Sequence, residues 1–527
     1  MLRALGLTSA SLLLFSAAPQ ADFTERTKLH STTAAAGDEF GISVDTDGKH
    51  TVVGARQQNS GPGKVQVFDG CLTSVPSQEL TASDGAVGDQ FGYSVAVDGE
   101  WLVVGAIQRN QGTGAAYVFR FDGLVWTEHQ KLVPDGSQFA DDVGYQVDVQ
   151  DDLLAVSAIG SSGDAGAVYL YRLSGDQWSF EQRIATSPPV AEERLGTSIS
   201  IDGDRIAIGA QYDPGFGRGY VYRKAESWVV EGVCEPQFPS PGSAAGGSIG
   251  LEGDHLLLGV PRADGPFGKD GSTTLDNGHV LAFEWDGSAW NYEQLLLPPG
   301  AQPGDEIGGW YLDIDGGTAA IAARFHDAAA VDAGAVFVYT FEGDYWAETQ
   351  TLTTSDADVG DTLYSVALRG GLLVAGVLND DDDGAASGSA YVFSRPFSKH
   401  GSGVPGAGGY EPGLLAGGSA VLGGTTSLFV RDFVGGAPSC YVISTGAADA
   451  PFFGGTLLVD GDQIVASGAF VSPGTPGDPA AGDLDLDFAV PSDPSIACTQ
   501  LYVQAFAIDP AAVAGVSMTN AVGVFLD

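Results

Sequence analysis

A unit of about 50 residues recurs along most of this chain, and it limits the fold more than any other feature of the sequence. The second copy, Gly88–Phe119, contains a Gly-Asp-x-Phe-Gly start, an alternating apolar run, an Asp-Gly turn, a second run ending in Val-Gly-Ala, a polar loop and a third apolar run. Aligned on Phe-Gly, the glycines of six copies lie 51, 52, 52, 50 and 62 residues apart, and a degraded seventh copy follows at Thr362-Leu363. The six aligned pairs are Phe40-Gly41, Phe91-Gly92, Val143-Gly144, Leu195-Gly196, Ala245-Gly246 and Ile307-Gly308.

Each copy contains four strand signals. In the second copy they are Gly92–Val97, Trp101–Ala106, Ala115–Phe121 and Trp126–Leu132. The first two runs are joined by Asp98-Gly99, and such a connection between alternating apolar runs is the strongest short-range hairpin signal. Four antiparallel strands per repeat are typical of a β-propeller blade. We therefore predict an all-β protein with a seven-bladed β-propeller over residues 22–397.

The two ends of the repeat array complement each other. The seventh copy stops after its third strand signal, Ala390–Phe393, and lacks a fourth. The segment Phe23–Leu29 resembles the fourth strands Trp126–Leu132 and Trp346–Leu352. We expect this N-terminal strand to complete the seventh blade and close the ring.

The composition changes after the repeats. Residues 398–412 are a Gly/Pro-rich linker, and residues 413–527 alternate short apolar runs with turns, as at 440–444, 455–459, 463–466, 501–508 and 521–526. This pattern predicts a small β-sandwich. Cys440 and Cys498 share this region and are the expected disulfide pair, whereas Cys71 and Cys234 lie in different repeats.

The chain is strongly acidic, with 23 Lys and Arg against 67 Asp and Glu and a net charge of −44. Nucleic acids and anionic membrane surfaces would repel it, so neither is expected as a partner. Residues 1–21 have the pattern of a secretory signal peptide, with Arg3 before the short apolar core Leu5–Phe15. No other stretch has the apolar length of a membrane span. We expect a monomer that is secreted or held at the cell surface without inserting into the membrane.

The paired Phe-Gly and Gly-Ala signals resemble the FG-GAP repeat, the blade unit of the integrin α-chain propeller and of many secreted bacterial proteins. The resemblance covers Gly37–Phe393 and implies a propeller, but a fold of this kind does not imply a function. The second signal recurs at Gly54-Ala55, Gly105-Ala106, Ser157-Ala158, Gly209-Ala210, Val260-Pro261, Ala322-Ala323 and Gly376-Val377. Residues 401–409, 454–460, 501–510 and 520–523 resemble a module at the end of many secreted, repeat-bearing bacterial proteins, for which no chemistry carries over.

The calcium loop of the FG-GAP family is absent from these blades. Calcium-binding blades carry Asp-x-Asp/Asn-x-Asp-Gly-x-x-Asp between their first two strands, which supplies the roughly six to eight oxygen ligands the ion needs. Here the connections are tight turns, at Asp47-Gly48, Asp98-Gly99, Asp202-Gly203, Glu252-Gly253 and Asp315-Gly316. One carboxylate on such a turn cannot encircle a cation, so the family's Ca²⁺ site is not expected in any blade.

Asp380, Asp381 and Asp383 are the candidate metal ligands. They belong to the run of four aspartates at 380–383 in the loop after the second strand of copy seven, and Ca²⁺ or another divalent cation would relieve their repulsion. The alternative is a solvated acidic loop, because the spacing is not that of a calcium loop. Asp264, Asp270 and Asp276, in the long loop of copy five, are a second candidate group.

Patterns that could indicate catalysis are explained by the repeat. Gly246–Gly250 matches the GxSxG nucleophile pattern, but Ser248 aligns with Ser94 and Ser198 inside first strands. Acidic residues also recur at the blade starts, where we expect them to fix turns: Asp38, Asp89, Asp141, Asp305 and Asp361. No catalytic residue and no cofactor is assigned.

These observations favour a non-enzymatic binding or adhesion propeller that recognises an extracellular protein or glycan. Loops on a rigid scaffold usually carry recognition, so the ligand is expected at Arg262–Asn277, Arg324–Ala333 and Leu378–Ser389. The alternative is an extracellular polysaccharide hydrolase or lyase with its site in the propeller centre, which would need carboxylates, a His or an Arg near the axis. A structural matrix protein without a discrete ligand is the third possibility.

Overall fold

Seven four-stranded sheets, arranged as the blades of a propeller, form the larger part of the described molecule. The computed structural model describes residues 22–527 apart from 59, 71–72, 213–214, 238–241, 263–276, 401–411, 419, 421–422, 432, 435, 446, 453–454, 460–463, 474–481, 493–499, 513–515 and 527. These ranges contain 38 strands and two single-turn helices, Arg109–Gly112 (α1) and Ser161–Asp164 (α2). Within them, no helix has the length and apolarity needed to cross a membrane.

In six blades the four strands follow one another in chain order. Blades one and two comprise β2 (Phe40–Thr46), β3 (His50–Ala55), β4 (Lys64–Asp69), β5 (Gln78–Leu80), β6 (Phe91–Asp98), β7 (Trp101–Ala106), β8 (Ala115–Phe121) and β9 (Trp126–Leu132). Blades three and four comprise β10 (Val143–Gln150), β11 (Leu153–Ala158), β12 (Ala167–Ser174), β13 (Gln177–Ile184), β14 (Leu195–Asp202), β15 (Arg205–Ala210), β16 (Arg218–Lys224) and β17 (Trp228–Cys234). Blades five and six comprise β18 (Ile249–Glu252), β19 (His255–Val260), β20 (His279–Trp285), β21 (Trp290–Leu296), β22 (Ile307–Asp315), β23 (Thr318–Ala323), β24 (Ala335–Phe341) and β25 (Trp346–Leu352).

Blade seven joins the two ends of the repeat array. It contains β26 (Leu363–Arg369), β27 (Leu372–Val377) and β28 (Ser389–Ser394), and its outer strand is β1 (Thr24–Leu29), which pairs antiparallel with β28. The first strands then touch around a closed ring, from β2 through β6, β10, β14, β18, β22 and β26 back to β2. The N-terminal strand therefore lies where the sequence comparison expected it.

Blades one, two, four and five each carry two glycines where neighbouring blades touch. A Cβ added to Gly105 would lie 2.0 Å from the carbonyl oxygen of Gly144 in the next blade. The same contact recurs at 2.1–2.2 Å for Gly54, Gly209, Gly259 and Gly376. The Phe-Gly glycines supply these carbonyls and have φ between 67° and 99°, which favours glycine. The Phe-Gly and Gly-Ala signals are therefore blade-packing contacts.

Serine hydroxyls in four first strands, and that of Ser248 directly before β18, donate hydrogen bonds to these glycine carbonyls of the following blade. The pairs are Ser43 with Gly92, Ser94 with Gly144, Ser198 with Gly246, Ser248 with Gly308, and Ser365 with Gly41, at 2.7–3.0 Å. Ser248, in the GxSxG match, thus forms the same blade contact as its counterparts.

Glutamine side chains join the outer strands of successive blades. Gln130 Nε2 donates to the carbonyl of Trp178 at 2.8 Å, and Gln130 Oε1 accepts from the Trp178 N–H at 3.0 Å. The same two bonds link Gln78 with Trp126, Gln182 with Trp228 and Gln294 with Trp346. Gln350 makes them with Phe23, at 2.7 and 2.8 Å. Phe23 therefore takes the place of an outer tryptophan in blade seven.

The C-terminal region is a small β-sandwich. Its larger sheet has the order β29-β38-β37-β32-β35, its smaller sheet the order β30-β31-β36, and β33 and β34 form a separate hairpin. Side chains of both sheets, among them Leu414, Val430, Val503 and Val524, share one core. The strands are β29 (Phe397–His400), β30 (Gly413–Gly418), β31 (Thr425–Arg431), β32 (Pro438–Ser444), β33 (Ala447–Phe452), β34 (Gly455–Val459), β35 (Ile464–Val471), β36 (Leu484–Ala489), β37 (Gln500–Ile508) and β38 (Val516–Phe525).

The hairpin turns and the seventh alignment differ from the sequence analysis. Asp98 ends β6 and pairs with Trp101, so the turn residues are Gly99 and Glu100, and of these two only Gly99 has positive φ. Leu363, rather than Thr362, occupies the Phe position of blade seven, and Tyr364 follows it in place of the glycine, because β26 is one residue shorter before Ser365.

The larger C-terminal sheet begins inside the linker that the sequence predicted. Residues 398–400, predicted as part of that linker, belong to β29 and pair with β38.

Cys234 is buried, which raises the pKa of its thiol, and neither Cys234 nor Cys440 forms a disulfide with a described residue. Cys71 and Cys498 lie outside the described residues, so the Cys440–Cys498 pair stays a prediction.

Candidate functional site at the channel mouth

Seven residues with left-handed backbone surround one end of the central channel, which we call the Phe-Gly mouth. Each residue directly precedes the position that Phe40 holds in blade one, at the start of the blade's first strand. Their φ angles lie between 50° and 62°. Outside glycine this conformation costs about 1–2 kcal/mol, and such strain is concentrated at functional sites. The seven residues differ in chemistry: Glu39, Gln90, Asp142, Arg194, Ala244, Glu306 and Thr362. The repeat therefore presents six kinds of side chain from seven blades at one structural position, with glutamate occurring twice.

Two arginines that follow the second strands reach this mouth. Arg56 forms an ion pair with Glu39, and its guanidinium lies 5.7 Å from the ring centroid of Tyr93. Arg324 Nη1 lies 3.8 Å from a carboxylate oxygen of Glu306. These pairs join second strands to the residues of left-handed backbone in blades one and six.

Aromatic rings lie under and beside the arginines. The guanidinium of Arg324 is 5.2 Å from the ring centroid of Tyr364, and that of Arg194 is 5.1 Å from the ring centroid of Tyr212. Asp142, next to Arg194 around the mouth, has a pKa raised to about 6 by burial, which the guanidinium partly opposes. The mouth therefore combines cationic, carboxylic and aromatic groups.

Four tyrosines close the channel below the mouth. The rings of Tyr93 and Tyr145 are 5.3 Å apart, and those of Tyr311 and Tyr364 are 5.7 Å apart. Burial raises the pKa of all four phenols, so they stay neutral hydrogen-bonding groups. The cavity left between them is about 10 Å³, close to the space of a single water molecule. A ligand would therefore bind at the mouth, above this tyrosine floor.

Half-buried carboxyl groups lie on the other side of the floor. Asp45, Asp148 and Asp313 accept hydrogen bonds from the backbone N–H groups of the next blade, at 2.6–2.7 Å. Burial raises the pKa of Asp148 and of Asp313 to about 7, and it raises the pKa of Asp45 well above its usual range. These groups join first strands around the axis.

The carboxylates that end the first strands, directly before the hairpin turns, have a related role. The side chains of Asp98, Asp202, Glu252 and Asp315 each accept a backbone N–H from the hairpin of the next blade, at 2.6–2.7 Å. This acidic residue thus holds neighbouring hairpins together, which gives its recurrence a structural cause.

We expect the propeller to lose stability between pH 5 and pH 8. Asp148 and Asp313 have pKa values raised to about 7 in the folded state, so folding is favoured by their protonated forms at low pH and opposed once they ionise. Each should account for on the order of 2 kcal/mol across this window. Denaturant midpoints measured at pH 5 and pH 8 test this. The midpoint of the D148N variant should fall less between these pH values than that of the wild type. The exposed-site variant D344N is the control; equal slopes for D148N and D344N would contradict the prediction.

The aspartates proposed as metal ligands lie beside the closing strand. Lys28 of β1 lies 2.7 Å from Asp380 and 2.7 Å from Asp382, and His30 Nδ1 lies 3.1 Å from Asp383. Asp380 is buried and also accepts from Ser389 Oγ at 2.6 Å. Among the described residues, no group of three His, Cys, Asp or Glu side chains is placed to hold a metal ion. The metal hypothesis for Asp380, Asp381 and Asp383 stays a prediction, while ion pairing with β1 gives part of this run a structural role.

The other predicted positions are distributed through the fold. Blade-start carboxylates accept the N–H three residues earlier, at 2.6–3.1 Å, and so fix their turns; they are Asp38, Asp89, Asp141, Asp305 and Asp361. The outer tryptophans are buried in the blades. Asp264, Asp270 and Asp276, and all of Arg262–Asn277 except its two end residues, lie outside the described residues.

Sequence reasoning missed Arg56 as a site residue and included Arg324 only as the first residue of the expected binding loop Arg324–Ala333. Both occupy the position directly after the Gly-Ala signal, Ala55 and Ala323 preceding them. In a propeller this register places them at the start of the loops on the Phe-Gly side. A comparison of the seven copies at that position would have found them.

Comparison with known proteins agrees with this architecture. The sequence profile described as FG-GAP repeat matches residues 23–68, 76–119, 126–171, 178–222 and 346–393. The chain carries FG-GAP repeats and folds as a β-propeller. The first matched segment of this FG-GAP protein begins with the closing strand β1, as the ring requires. Among solved structures, the N-terminal domain of Nup159 is similar, with 12% identity and a TM-score of 0.41 over 72% of this chain and 96% of that one. No curated protein sequence matches.

Proposed function

We propose that this FG-GAP propeller is a non-enzymatic binding or adhesion protein that recognises an extracellular protein or polysaccharide at the Phe-Gly mouth. The observation that carries the proposal is the gathering of Arg56, Arg194 and Arg324 above an aromatic floor, in a chain with only 23 Lys and Arg. Arginine and aromatic side chains are the residue types that dominate binding hot spots. The left-handed backbone at the same mouth supports the assignment.

The position of the mouth agrees with the loops expected to bind. The loops Arg324–Ala333 and Leu378–Ser389 begin directly after second strands, on the Phe-Gly side of the ring. Secretion or surface display is part of the proposal and depends on residues 1–21, which lie outside the described residues. A monomeric propeller with one mouth would bind one ligand.

We expect substitution of the mouth arginines to abolish most of the binding. The purified protein is first screened on arrays of glycans and extracellular proteins, and the affinity for the best ligand is measured by calorimetry. The double variant R56Q/R324Q should bind at least about tenfold more weakly, equivalent to about 1.4 kcal/mol. R223Q removes an exposed arginine of the third strand β16, which pairs with Asp204 in the hairpin turn of the same blade, and serves as the control. Equal affinity for R56Q/R324Q and R223Q would refute the mouth as the site.

A polysaccharide hydrolase or lyase is the second candidate. It is supported by Asp142, whose pKa of about 6 would let it exchange a proton near neutral pH beside Arg194 and Tyr145. The tyrosine floor leaves no space for a substrate deeper in the channel, so this site too would be at the mouth. Product release from the same glycans, lost in D142N, would favour the enzyme over the binding module.

A further inference from the structure

Four blades carry a tyrosine at the same position of the third strand, and in three of them its hydroxyl donates to a carboxylate. Tyr117 donates to Asp84 at 2.7 Å, Tyr220 donates to Glu193 at 3.0 Å, and Tyr391 donates to Asp356. The fourth, Tyr169 in blade three, has no acceptor for its hydroxyl proton among the described residues; its oxygen accepts from Arg183 Nε at 3.4 Å. Blade three thus lacks the carboxylate that its counterparts have.

The basic residue of the neighbouring outer strand also lacks a carboxylate partner in blade three, whereas it has one in blades two and seven. In blades two and seven Lys131 and Lys28 lie over the tyrosine rings and form ion pairs with Asp84 and Asp356, at 2.8 and 2.9 Å. Arg183 holds the equivalent position in blade three, 5.8 Å from the ring centroid of Tyr169. Arg183 forms no ion pair with any carboxylate in the described part of the chain, and its Nη2 contacts only serine hydroxyls at 3.2–3.4 Å.

A glycine accounts for the missing acid. Four residues after Leu132, at the end of β9, the chain has Gly136; four residues after Leu80 it has Asp84, and four residues after Leu352 it has Asp356. A cavity of about 920 Å³ opens here, within the range of small-molecule sites. Its walls include Phe139, Tyr171 and Phe180 on the aromatic side, and Asp135, Ser161 and Asp164 on the polar side. Phe139 and Phe180 are 75% and 59% exposed, so the aromatic wall is accessible.

We propose that this cavity binds a saccharide that carries one carboxylate, such as a uronic acid residue, and that this carboxylate takes the place of the missing aspartate. Arg183 and the Tyr169 hydroxyl would donate to it, as Lys131 and Tyr117 donate to Asp84. Such charge-assisted bonds are stronger than neutral ones. The cavity lining contains none of Arg56, Arg194 and Arg324, and the proposal does not depend on binding at the mouth.

The remaining walls favour a sugar over a peptide carboxylate. Asp135 and Asp164 line the cavity, accept hydrogen bonds and repel a second anion, so the ligand should bring several hydroxyl donors with its single carboxylate. A sugar ring also offers an apolar face to Phe180 and Phe139. A peptide carboxylate supplies the anion without those hydroxyl groups.

Calorimetric titration of the full chain with disaccharides that join one glucuronate, galacturonate or mannuronate residue to a neutral sugar tests the proposal. We expect at least one to bind, with its carboxyl-reduced counterpart at least about tenfold weaker. R183Q should weaken binding by a similar factor, and F180S, at an exposed site, by several-fold.

Matched measurements separate the possible outcomes. R56Q/R324Q, at the mouth, should bind these saccharides as the wild type does, and melting curves establish that each variant is folded. No binding by any uronate, unchanged binding in folded R183Q, or equal binding of the carboxyl-reduced sugars would overturn the proposal. Equal binding of a blocked aspartate-containing tetrapeptide would assign the site to peptides instead.

Discussion

Deleting residues 22–30 should destabilise the propeller more than any other change considered. The deletion removes β1, leaves β28 as an unpaired edge and exposes the cores that Phe23 and Leu29 fill, both at most 2% exposed. Burial of the two side chains and the lost ladder amount to roughly 5 kcal/mol or more. This corresponds to a fall in melting midpoint on the order of 10 °C. Differential scanning calorimetry measures it directly.

Two further proteins test whether the loss of stability is caused by the loss of β1. A chain that begins at Asp22 keeps β1 and should melt as the full chain does. In that background Q350A, which removes the two bonds to Phe23, should lower the midpoint by a few degrees, since each bond contributes about 1 kcal/mol. A deletion of 22–30 with an unchanged melting curve would show that ring closure by β1 does not stabilise the domain.

The second large effect is expected for G105A. A Cβ at this position would lie 2.0 Å from the backbone carbonyl of Gly144 and 2.4 Å from Ser94 Oγ, and backbone cannot move aside without separating blades two and three. Overpacking of this kind should lower the free energy of unfolding by about 3 kcal/mol. Denaturant unfolding of the purified variant provides the measurement.

The chain itself provides the matched control for G105A. Blade six carries Ala322 at the equivalent position, so its interface with blade seven already accepts a methyl group there. A322G should therefore change the free energy of unfolding by only about 1 kcal/mol, from lost burial and glycine flexibility. A G105A variant as stable as A322G would mean that the blade interface adapts and that the glycine is not required.

The periodic parts of the structure could be predicted from the sequence. Trp101–Ala106, Ala115–Phe121 and Trp126–Leu132 have the bounds predicted for them, because alternating apolar residues and turn signals act locally. The fold class followed from their repetition. The hairpin turns were placed one residue too early, because Asp98 pairs within the ladder and also serves the next blade, a contact that local turn rules do not contain.

The candidate sites depended on contacts between distant residues. The run at Asp380–Asp383 suggested a metal because the sequence does not show that Lys28, more than 350 residues earlier, lies between these carboxylates. Arg56 and Arg324 meet the tyrosine floor only in the closed ring. Aligning the outer strands could identify Arg183 as a cation without an acidic partner. Only the structure shows that Arg183 lines a cavity, which makes it a candidate binding residue.

The pairing of β1 with β28 also sets an order of events in folding. Thr24 and Ser394 bond across 370 positions of the chain, so the first strand to be synthesised is the last to find its partner. Hairpins of the first six blades can form from nearby residues, whereas closure must wait for blade seven, and such non-local steps are slow. Until then two strand edges stay open to other chains. Closure is therefore the step at which productive folding competes with aggregation, and its rate should limit the yield of native protein.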